Sequence, residues 1–281
     1  MGIYEFKDTH GFNFYDMKFK RTKNIYWTPH NHQDFHEIIL FLNGNVEFIV
    51  EGNIYPIEPY DIIFTRRSEV HNIHQHGNYR YQALVFEIFN NFFTQNKCDK
   101  YINVFSNRPL GVNNLIPAKY VKKYGIDALF GAVVQYIDDE ADGAIAASSR
   151  AVELLYLMNL INSKINKSSE YTQHILNSST DYSKLIRNVI VYINEHLTEE
   201  LNLNKISEIF YISKSHLCHS FKTHTGFSVN RYITAKRLNL VHDLVAEGHS
   251  WLEASVEAGF GNYSNFYKTF KNTYGCAPSK H

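Results

Sequence analysis

Along this chain the spacing of the hydrophobic residues changes near residue 90. Before that point, apolar and polar residues alternate in short runs separated by turn residues, a period of two that predicts β-strands. Because many short strands follow one another at regular spacing, we expect a double-sheet barrel or jelly roll. The strands are predicted at about residues 12–19, 37–42, 46–50, 54–57, 62–65, 70–73 and 79–88.

After residue 90 the apolar residues recur every three to four positions, which predicts helices. We expect a short helix at 90–96, a loop at 107–117, and longer amphipathic helices at 120–137 and 145–160. The apolar faces of the two longer helices are too extensive for helices that stand free in water. These helices are therefore expected to cover the barrel.

Composition marks a boundary between two domains. Residues 162–181 are rich in Asn, Ser, Lys and Thr, which is typical of a flexible linker. A further amphipathic helix is predicted at 185–197, after this segment. The predicted organisation is a first domain at 1–165, a linker at 166–183 and a second domain at 184–281.

The second domain contains a near-repeat of the pattern Phe-Lys-x-x-x-Gly, at residues 221–226 and again at 270–275. In each copy a short helix and a tight turn come first, and Ser213 or Asn262 is placed to cap the helix that ends in the pattern. This is the arrangement of a helix-turn-helix, and one helix at 228–247 is predicted to join the two copies. Two recognition helices at a fixed separation suit successive major grooves on one face of DNA, about 34 Å apart.

Residues 201–280 resemble the DNA-binding domain of the AraC/XylS family of bacterial transcription regulators. The resemblance is carried by Ser213, Leu217, Phe221, Lys222, Gly226, Tyr232, Arg237, Leu238, Gly259, Phe260, Phe266, Phe270, Lys271, Gly275 and Pro278. It implies base contacts by the outward side chains of the recognition helices, namely Ser215, Cys218, His219, Tyr263, Ser264, Tyr267 and Lys268. It implies phosphate contacts by Lys214, Lys222 and Lys271.

The same resemblance implies a sensor domain, RNA polymerase as a protein partner, and a homodimer interface on the helices between residues 120 and 160. On this hypothesis Leu155 and Met158 lie on the exposed part of the apolar face. Charged substitutions at these two positions are then expected to give monomers that still fold.

A second motif lies in the strand-rich part of the chain. His30-x-His32, followed by Glu37 and Gly44, resembles the first signature of the cupin family, and residues 59–71 contain a degraded form of the second signature. A period of two places His30 and His32 on one face of a strand, and Glu37 can join them from the next strand.

These residues allow two interpretations. His30, His32, Glu37 and His71 could hold zinc, iron or manganese, or they could line a pocket for a small molecule. We favour the pocket, and expect neither metal nor cofactor, because sensor domains of the resembled family usually bind ligand without chemistry. The predicted effector-binding residues are Trp27, His30, His32, Glu37, Arg66, His71 and Tyr81, and a sugar or oligosaccharide is the expected effector. An inward Arg66 would select an anionic ligand instead.

Charge and composition refine this picture. The chain has 28 basic and 28 acidic residues, but 11 basic and 8 acidic residues follow position 183, which agrees with DNA binding by the second domain. No apolar run is long enough to span a membrane, and Cys98, Cys218 and Cys276 are scattered. A cytoplasmic protein without a membrane partner is therefore expected. His74 and His76, in a polar turn, are expected to be solvated.

The predicted fold class is α+β: an N-terminal cupin-like β-barrel with covering and dimerisation helices, then an all-α domain of two helix-turn-helix units joined by a connector helix. The predicted function is a non-enzymatic, ligand-responsive regulator that binds double-stranded promoter DNA and controls genes of carbohydrate uptake or catabolism. Two alternatives stay open: a metal-dependent cupin enzyme fused to a DNA-binding domain, and a ligand-independent regulator whose barrel only dimerises.

Overall fold

The computed structural model describes residues 4–7, 12–19, 29–32, 35–87, 97, 99–137, 143–165 and 181–280. The chain divides into two compact units between Ser179 and Thr180. Trp27, the predicted helix at 90–96 and most of the predicted linker lie outside the described residues. The last three linker residues, 181–183, already belong to a helix.

The described part of the first unit contains two antiparallel sheets. The predicted strands are all present, and their ends differ from the prediction by one or two residues at most. The strands are β1 (Tyr4–Lys7), β2 (Phe12–Phe19), β3 (Phe35–Asn43), β4 (Val46–Val50), β5 (Asn53–Ile57), β6 (Ile62–Thr65), β7 (His71–Gln75), β8 (Tyr79–Glu87) and β9 (Leu115–Ile116). The larger sheet has the strand order β1-β2-β8-β3-β6-β9, and the smaller one has the order β5-β4-β7.

Successive side chains of β3 point to opposite faces of the sheet, and each face belongs to a different hydrophobic core. Ile39 and Phe41 belong to a core that also contains Phe48 of the three-stranded sheet. Ile38 and Leu40, on the opposite face of the same strand, belong to a core built with helices. One core therefore joins the two sheets, and the other joins the larger sheet to the helices that cover it.

In the described part of the first unit the helices are α1 (Asn103–Ser106), α2 (Ala118–Lys123), α3 (Ile126–Ile137) and α4 (Gly143–Ile165). The prediction of one helix at 120–137 is wrong, because the chain turns at Gly125, whose φ is +65°. The loop predicted at 107–117 is also partly wrong, since it contains β9, which pairs with β6.

Helix α4 buries side chains that were predicted to be exposed. Leu155 and Met158 are both 0% exposed within a single protomer, and they pack in the same core as Ile38. The prediction that charges at these positions would give folded monomers is therefore wrong, because a charge in this core would have no partner. The outward side of α4 carries Tyr156, which is 48% exposed.

The described residues of the second unit form helices and short turns. The helices are α5 (Asp181–Glu195), α6 (Leu203–Ile209), α7 (Lys214–Thr225), α8 (Val229–Ala246), α9 (Trp251–Glu257) and α10 (Tyr263–Tyr274). Helix α5 begins four residues before its predicted start at 185. None of the helices described in either unit combines the length and apolar character needed to cross a membrane. The pairs α6–α7 and α9–α10 are the predicted helix-turn-helix units, and α8 is the predicted connector.

The ends of the two recognition helices, α7 and α10, follow from local sequence. Ser213 accepts a hydrogen bond of 3.2 Å from the amide three residues further on, and Asn262 accepts the equivalent bond at 2.9 Å. Each helix ends at a glycine with a φ of 74°, Gly226 or Gly275. Because these caps satisfy end groups that a helix leaves unpaired, they fix both helices at the predicted places.

Candidate functional site

The predicted histidines and Glu37 meet in the first unit. His71 opens β7, and its backbone exchanges hydrogen bonds of 2.9 and 3.1 Å with that of His30. The rings of His30 and His71 are 4.5 Å apart, and those of His32 and His71 are 5.0 Å apart. Glu37 reaches the cluster from β3. An isolated bridge, rather than the predicted regular strand, therefore positions His30.

Glu37 Oε2 is the point on which two imidazoles converge. It lies 3.4 Å from His32 Nε2 and 3.4 Å from His71 Nε2. Neither buried nitrogen has a well-directed hydrogen bond to a described residue. His71 Nδ1 donates at 2.9 Å to the Glu69 carbonyl oxygen, so a neutral His71 would direct a lone pair at the carboxylate. The arrangement thus requires an imidazolium or a bound group that bridges the two side chains.

The electrostatics of the cluster agree with an ionic arrangement. Burial would raise the pKa of Glu37, but its close contacts with the imidazoles of His32 and His71 hold it well below its ordinary value. Burial would likewise lower the pKa of His71, but its contacts with Glu37 raise it above 6.5. The carboxylate is therefore charged at neutral pH, and His71 is more basic than a free histidine.

Aromatic side chains form the walls beside this cluster. Phe48 stacks on His71 with ring centroids 5.7 Å apart. Tyr81 is also buried, and its ring centroid lies 5.7 Å from that of Phe41. Burial, and to a smaller extent the negative charge of Glu37, raises the pKa of Tyr81 well above its ordinary value. Its hydroxyl therefore stays protonated. Aromatic walls with a few convergent polar groups are the usual make-up of a small-molecule site.

One nitrogen from each of His30, His32 and His71 lies within 4.8 Å of the others, so the same residues offer a donor set for a metal ion. The structure does not bring Arg66 into this group in the predicted way. Its guanidinium lies 3.7 Å from Glu69 and also donates to the Ser106 carbonyl at 3.5 Å.

Sequence reasoning missed a buried ion pair behind the cluster. Arg108 donates two hydrogen bonds, of 2.7 and 2.6 Å, to the two carboxylate oxygens of Glu69, and both side chains are fully buried. Asn114 and the backbone amide of Gly111 donate to the same carboxylate. Burial would raise the pKa of Glu69, but Arg108 lowers it to about 2. Because the backbone carbonyl of Glu69 also accepts a hydrogen bond from His71 Nδ1, this network orients the pocket histidine.

The prediction that His74 and His76 are merely solvated is wrong. His74 lies on β7, and both imidazoles contact one oxygen of Glu47, each at 3.1 Å. No sequence motif marked this cluster, because Glu47 is far from the histidines along the chain.

In the second unit the predicted DNA-contact residues lie on the outward sides of α7 and α10. Leu217, Phe221, Phe266 and Phe270 are the buried residues of these two helices that the pattern predicted. The predicted contact residues are exposed at Lys214, Ser215, His219, Lys222, Ser264, Tyr267, Lys268 and Lys271, and half-buried at Cys218 and Tyr263. Both helices therefore present a largely polar, exposed surface, and a major groove is wide enough to admit an α-helix.

Comparison with known proteins matches both units. A family model described as an AraC-like ligand binding domain matches residues 18–91, and one described as a helix-turn-helix domain matches residues 206–281. The HTH-type transcriptional activator RhaS of Salmonella arizonae is 24% identical over 265 residues, covering 89% of this chain and 86% of that protein. The alignment with the structure of ToxT from Vibrio cholerae, solved with a bound unsaturated fatty acid, includes 98% of this chain and 95% of ToxT. The identity is 14% and the TM-score is 0.38.

A strand-rich ligand-binding unit and a double helix-turn-helix unit together define a transcription regulator that binds DNA and a small-molecule effector. The two matched segments account for more than half of the chain. The chain belongs to the AraC family of transcription regulators. Because regulators of this family are not enzymes, the alternative of a metal-dependent cupin enzyme is removed.

Proposed function

We propose that this regulator activates genes of sugar uptake or catabolism when a sugar or oligosaccharide binds beside Glu37. The observation that carries the proposal is the convergence of His32 and His71 on one carboxylate oxygen. A sugar hydroxyl between them can donate to Glu37 and accept from an imidazolium, which satisfies all three groups at once. The similarity to RhaS, a transcriptional activator, supports activation as the sign of regulation.

A neutral ligand suits this pocket better than an anionic one. Glu37 places a negative charge at the point where the ligand would bind. Arg66, the residue that would select an anion, is instead held by Glu69. A sugar phosphate or sugar acid would meet the carboxylate without a free arginine fork to balance it.

Calorimetry with neutral sugars, sugar phosphates and sugar acids tests the effector. We expect a neutral sugar to bind, and His32→Ala to weaken it at least about tenfold, because a hydrogen bond to a charged group contributes about 1.5–3 kcal/mol. Arg66→Ala should leave that affinity unchanged. His249→Ala, in the second unit, is the control. Undiminished binding by His32→Ala would place the pocket elsewhere, and a regulator whose barrel only dimerises would bind none of these ligands.

We also propose that α7 and α10 divide the work of DNA recognition between two groups of side chains. Ser215, Cys218, His219, Tyr263, Ser264, Tyr267 and Lys268 would contact base edges, and Lys214, Lys222 and Lys271 would contact phosphates. The support is that eight of these ten side chains are exposed, and Cys218 and Tyr263 half-buried, beside fully buried Leu217 and Phe266.

Binding assays on cognate and random duplexes separate the two groups. His219→Ala or Lys268→Ala should cost about 1–3 kcal/mol on the cognate site and little on random DNA. Lys222→Ala should weaken both and lower the salt slope by about one, because it removes one phosphate contact. Equal losses for both groups on both duplexes would contradict the assignment.

We propose that this regulator forms a homodimer through the outward surface of the helices between residues 120 and 160. Tyr156 is the exposed aromatic residue on α4.

RNA polymerase is the protein partner that we propose for an activator. Since the protein acts on promoter DNA, we propose that it works in the cytoplasm. The domain boundaries 1–165, 166–183 and 184–281 stay predictions.

A further inference from the structure

Glu47 and His74 share one face of the three-stranded sheet, opposite the effector pocket. Glu47 lies on β4 between buried neighbours, and His74 lies on β7 between buried neighbours. Since side chains alternate along a strand, both project away from the face that carries Phe48 and His71. Nothing in the effector pocket therefore uses these two side chains.

The backbone fixes the cluster. Glu47 and His74 are direct partners in the antiparallel register of β4 and β7. His76 follows the end of β7, where its amide donates at 2.9 Å to the Asn45 carbonyl oxygen, and the next amide donates to the same oxygen at 3.1 Å. All three residues are thus placed by main-chain hydrogen bonds, so little ordering is needed before a ligand binds.

The three side chains converge as ligands of one ion would. His74 Nδ1 and His76 Nε2 each lie 3.1 Å from Glu47 Oε2, and the two rings are 4.2 Å apart. One ligand atom from each residue lies within 4.8 Å of the others. With metal–ligand distances of about 2.0–2.2 Å, the edge of a tetrahedron is about 3.4 Å. The two nitrogen–oxygen distances of 3.1 Å are within about 0.3 Å of this edge, and the two nitrogens, which lie within 4.8 Å of each other, would approach by at most about 1.4 Å through rotation of partly exposed side chains.

We propose that Glu47, His74 and His76 bind one divalent transition-metal ion, for which Zn²⁺ is the natural probe. Two imidazoles and one carboxylate form a borderline-soft donor set that suits zinc and its neighbours and not Mg²⁺ or Ca²⁺, which need oxygen ligands. The side chains are 21–38% exposed, so water can complete the coordination. The ion would fasten β7, the strand that carries His71, to β4.

Titration of the full-length, chelator-treated protein with Zn²⁺ tests the proposal. Calorimetry should show a binding event in the wild type that His74→Ala, His76→Ala and Glu47→Gln each weaken at least tenfold. Zn²⁺ should raise the melting temperature of the wild type and not that of these variants. Mg²⁺ should produce neither effect.

Two controls identify the site. His32→Ala disrupts the pocket cluster and should retain the binding event. His249 faces Glu257 at 3.5 Å with no place in either group of potential ligands, so His249→Ala should also retain it. Circular dichroism without metal should show that all variants are folded. Failure of the wild type to bind, full binding by His74→Ala, or loss confined to His32→Ala would overturn the proposal. Each result is independent of sugar binding by the pocket.

Discussion

At the scale of single residues, the ion pair of Arg108 and Glu69 lies directly behind the pocket, because the backbone carbonyl of Glu69 holds His71. Both side chains are fully buried, so each charge requires the other. Glu69 also accepts from Asn114 and from two backbone amides. Its remaining lone pairs are therefore satisfied, which is the condition under which a buried charge is tolerated.

Removal of the arginine should be far more costly here than at the surface. Arg108→Ala leaves the buried Glu69 carboxylate with only the more distant Arg66 guanidinium, 3.7 Å away, and we expect it to lower the free energy of unfolding by about 3–5 kcal/mol. The matched control is Arg150→Ala, which breaks the exposed pair with Glu153 and should cost less than about 1 kcal/mol. Urea denaturation measures both. Similar small losses would show that the buried pair contributes no more than an exposed one.

At the scale of elements, a glycine decides how closely the second helix-turn-helix approaches the segment after α5. Gly259 has a φ of +88°, and a Cβ there would lie 2.9 Å from the Leu197 carbonyl oxygen and 3.0 Å from that of Thr198. Arg237 donates at 3.0 Å to that same Leu197 oxygen. Gly275 has a similar φ of +74° but open space around it. The two positions therefore separate backbone strain from steric contact.

Alanine at these two positions should have unequal effects. Gly275→Ala should cost about 1–2 kcal/mol, the strain of a left-handed residue that has a Cβ. Gly259→Ala should cost distinctly more, because the same strain is joined by contact with two backbone oxygens. Denaturation midpoints of the two variants give the comparison. Equal costs would mean that the segment after α5 shifts freely.

Helix α4 offers a second comparison between neighbouring positions. Leu155→Glu places a charge in the core and should prevent folding of the first unit. Tyr156→Glu alters the exposed face and should give a folded protein that is monomeric in sedimentation, because the charge would be buried in the proposed interface. Circular dichroism checks folding in both. A fully dimeric Tyr156→Glu protein would move the interface away from this face.

At the scale of the whole molecule, each compact unit has a core of its own. The first unit uses the two cores around β3. The second unit has one around Phe266 and Phe270, built with Leu238, Val241 and Ala254. Residues that share a hydrophobic core unfold together in one cooperative transition. Because the chain divides between Ser179 and Thr180, we expect a separate unfolding transition for each unit.

Differential scanning calorimetry of the full chain should show this separation. Arg108→Ala should lower the transition of the first unit (residues 1–179), by about 2–4 °C for each kcal/mol lost. Gly259→Ala should lower that of the smaller second unit, by about 4–8 °C for each kcal/mol lost. Each variant is the control for the other. A single transition that both substitutions lower would show that the two units unfold together.

The sequence by itself determined most elements and part of the site. Strands β3 to β8 and both recognition helices follow from local information: a hydrophobic period, a capping Ser213 or Asn262, and a glycine at each helix end. The motif also predicted that His32 and Glu37 would meet, although an isolated bridge to His71, and not a regular strand, positions His30. Where the partners are close along the chain, the local pattern carries the geometry.

Only the tertiary structure decided which surfaces are covered and which distant side chains meet. Leu155 is apolar in either environment, and its burial depends on how α4 packs on the sheet. Arg108 and Glu69 are 39 residues apart, and Glu47 and His74 are 27 apart. Strand register and the paths of the loops bring these partners together. The spacing of hydrophobic residues, every two positions in a strand or every 3.6 in a helix, carries no information about register or loop path.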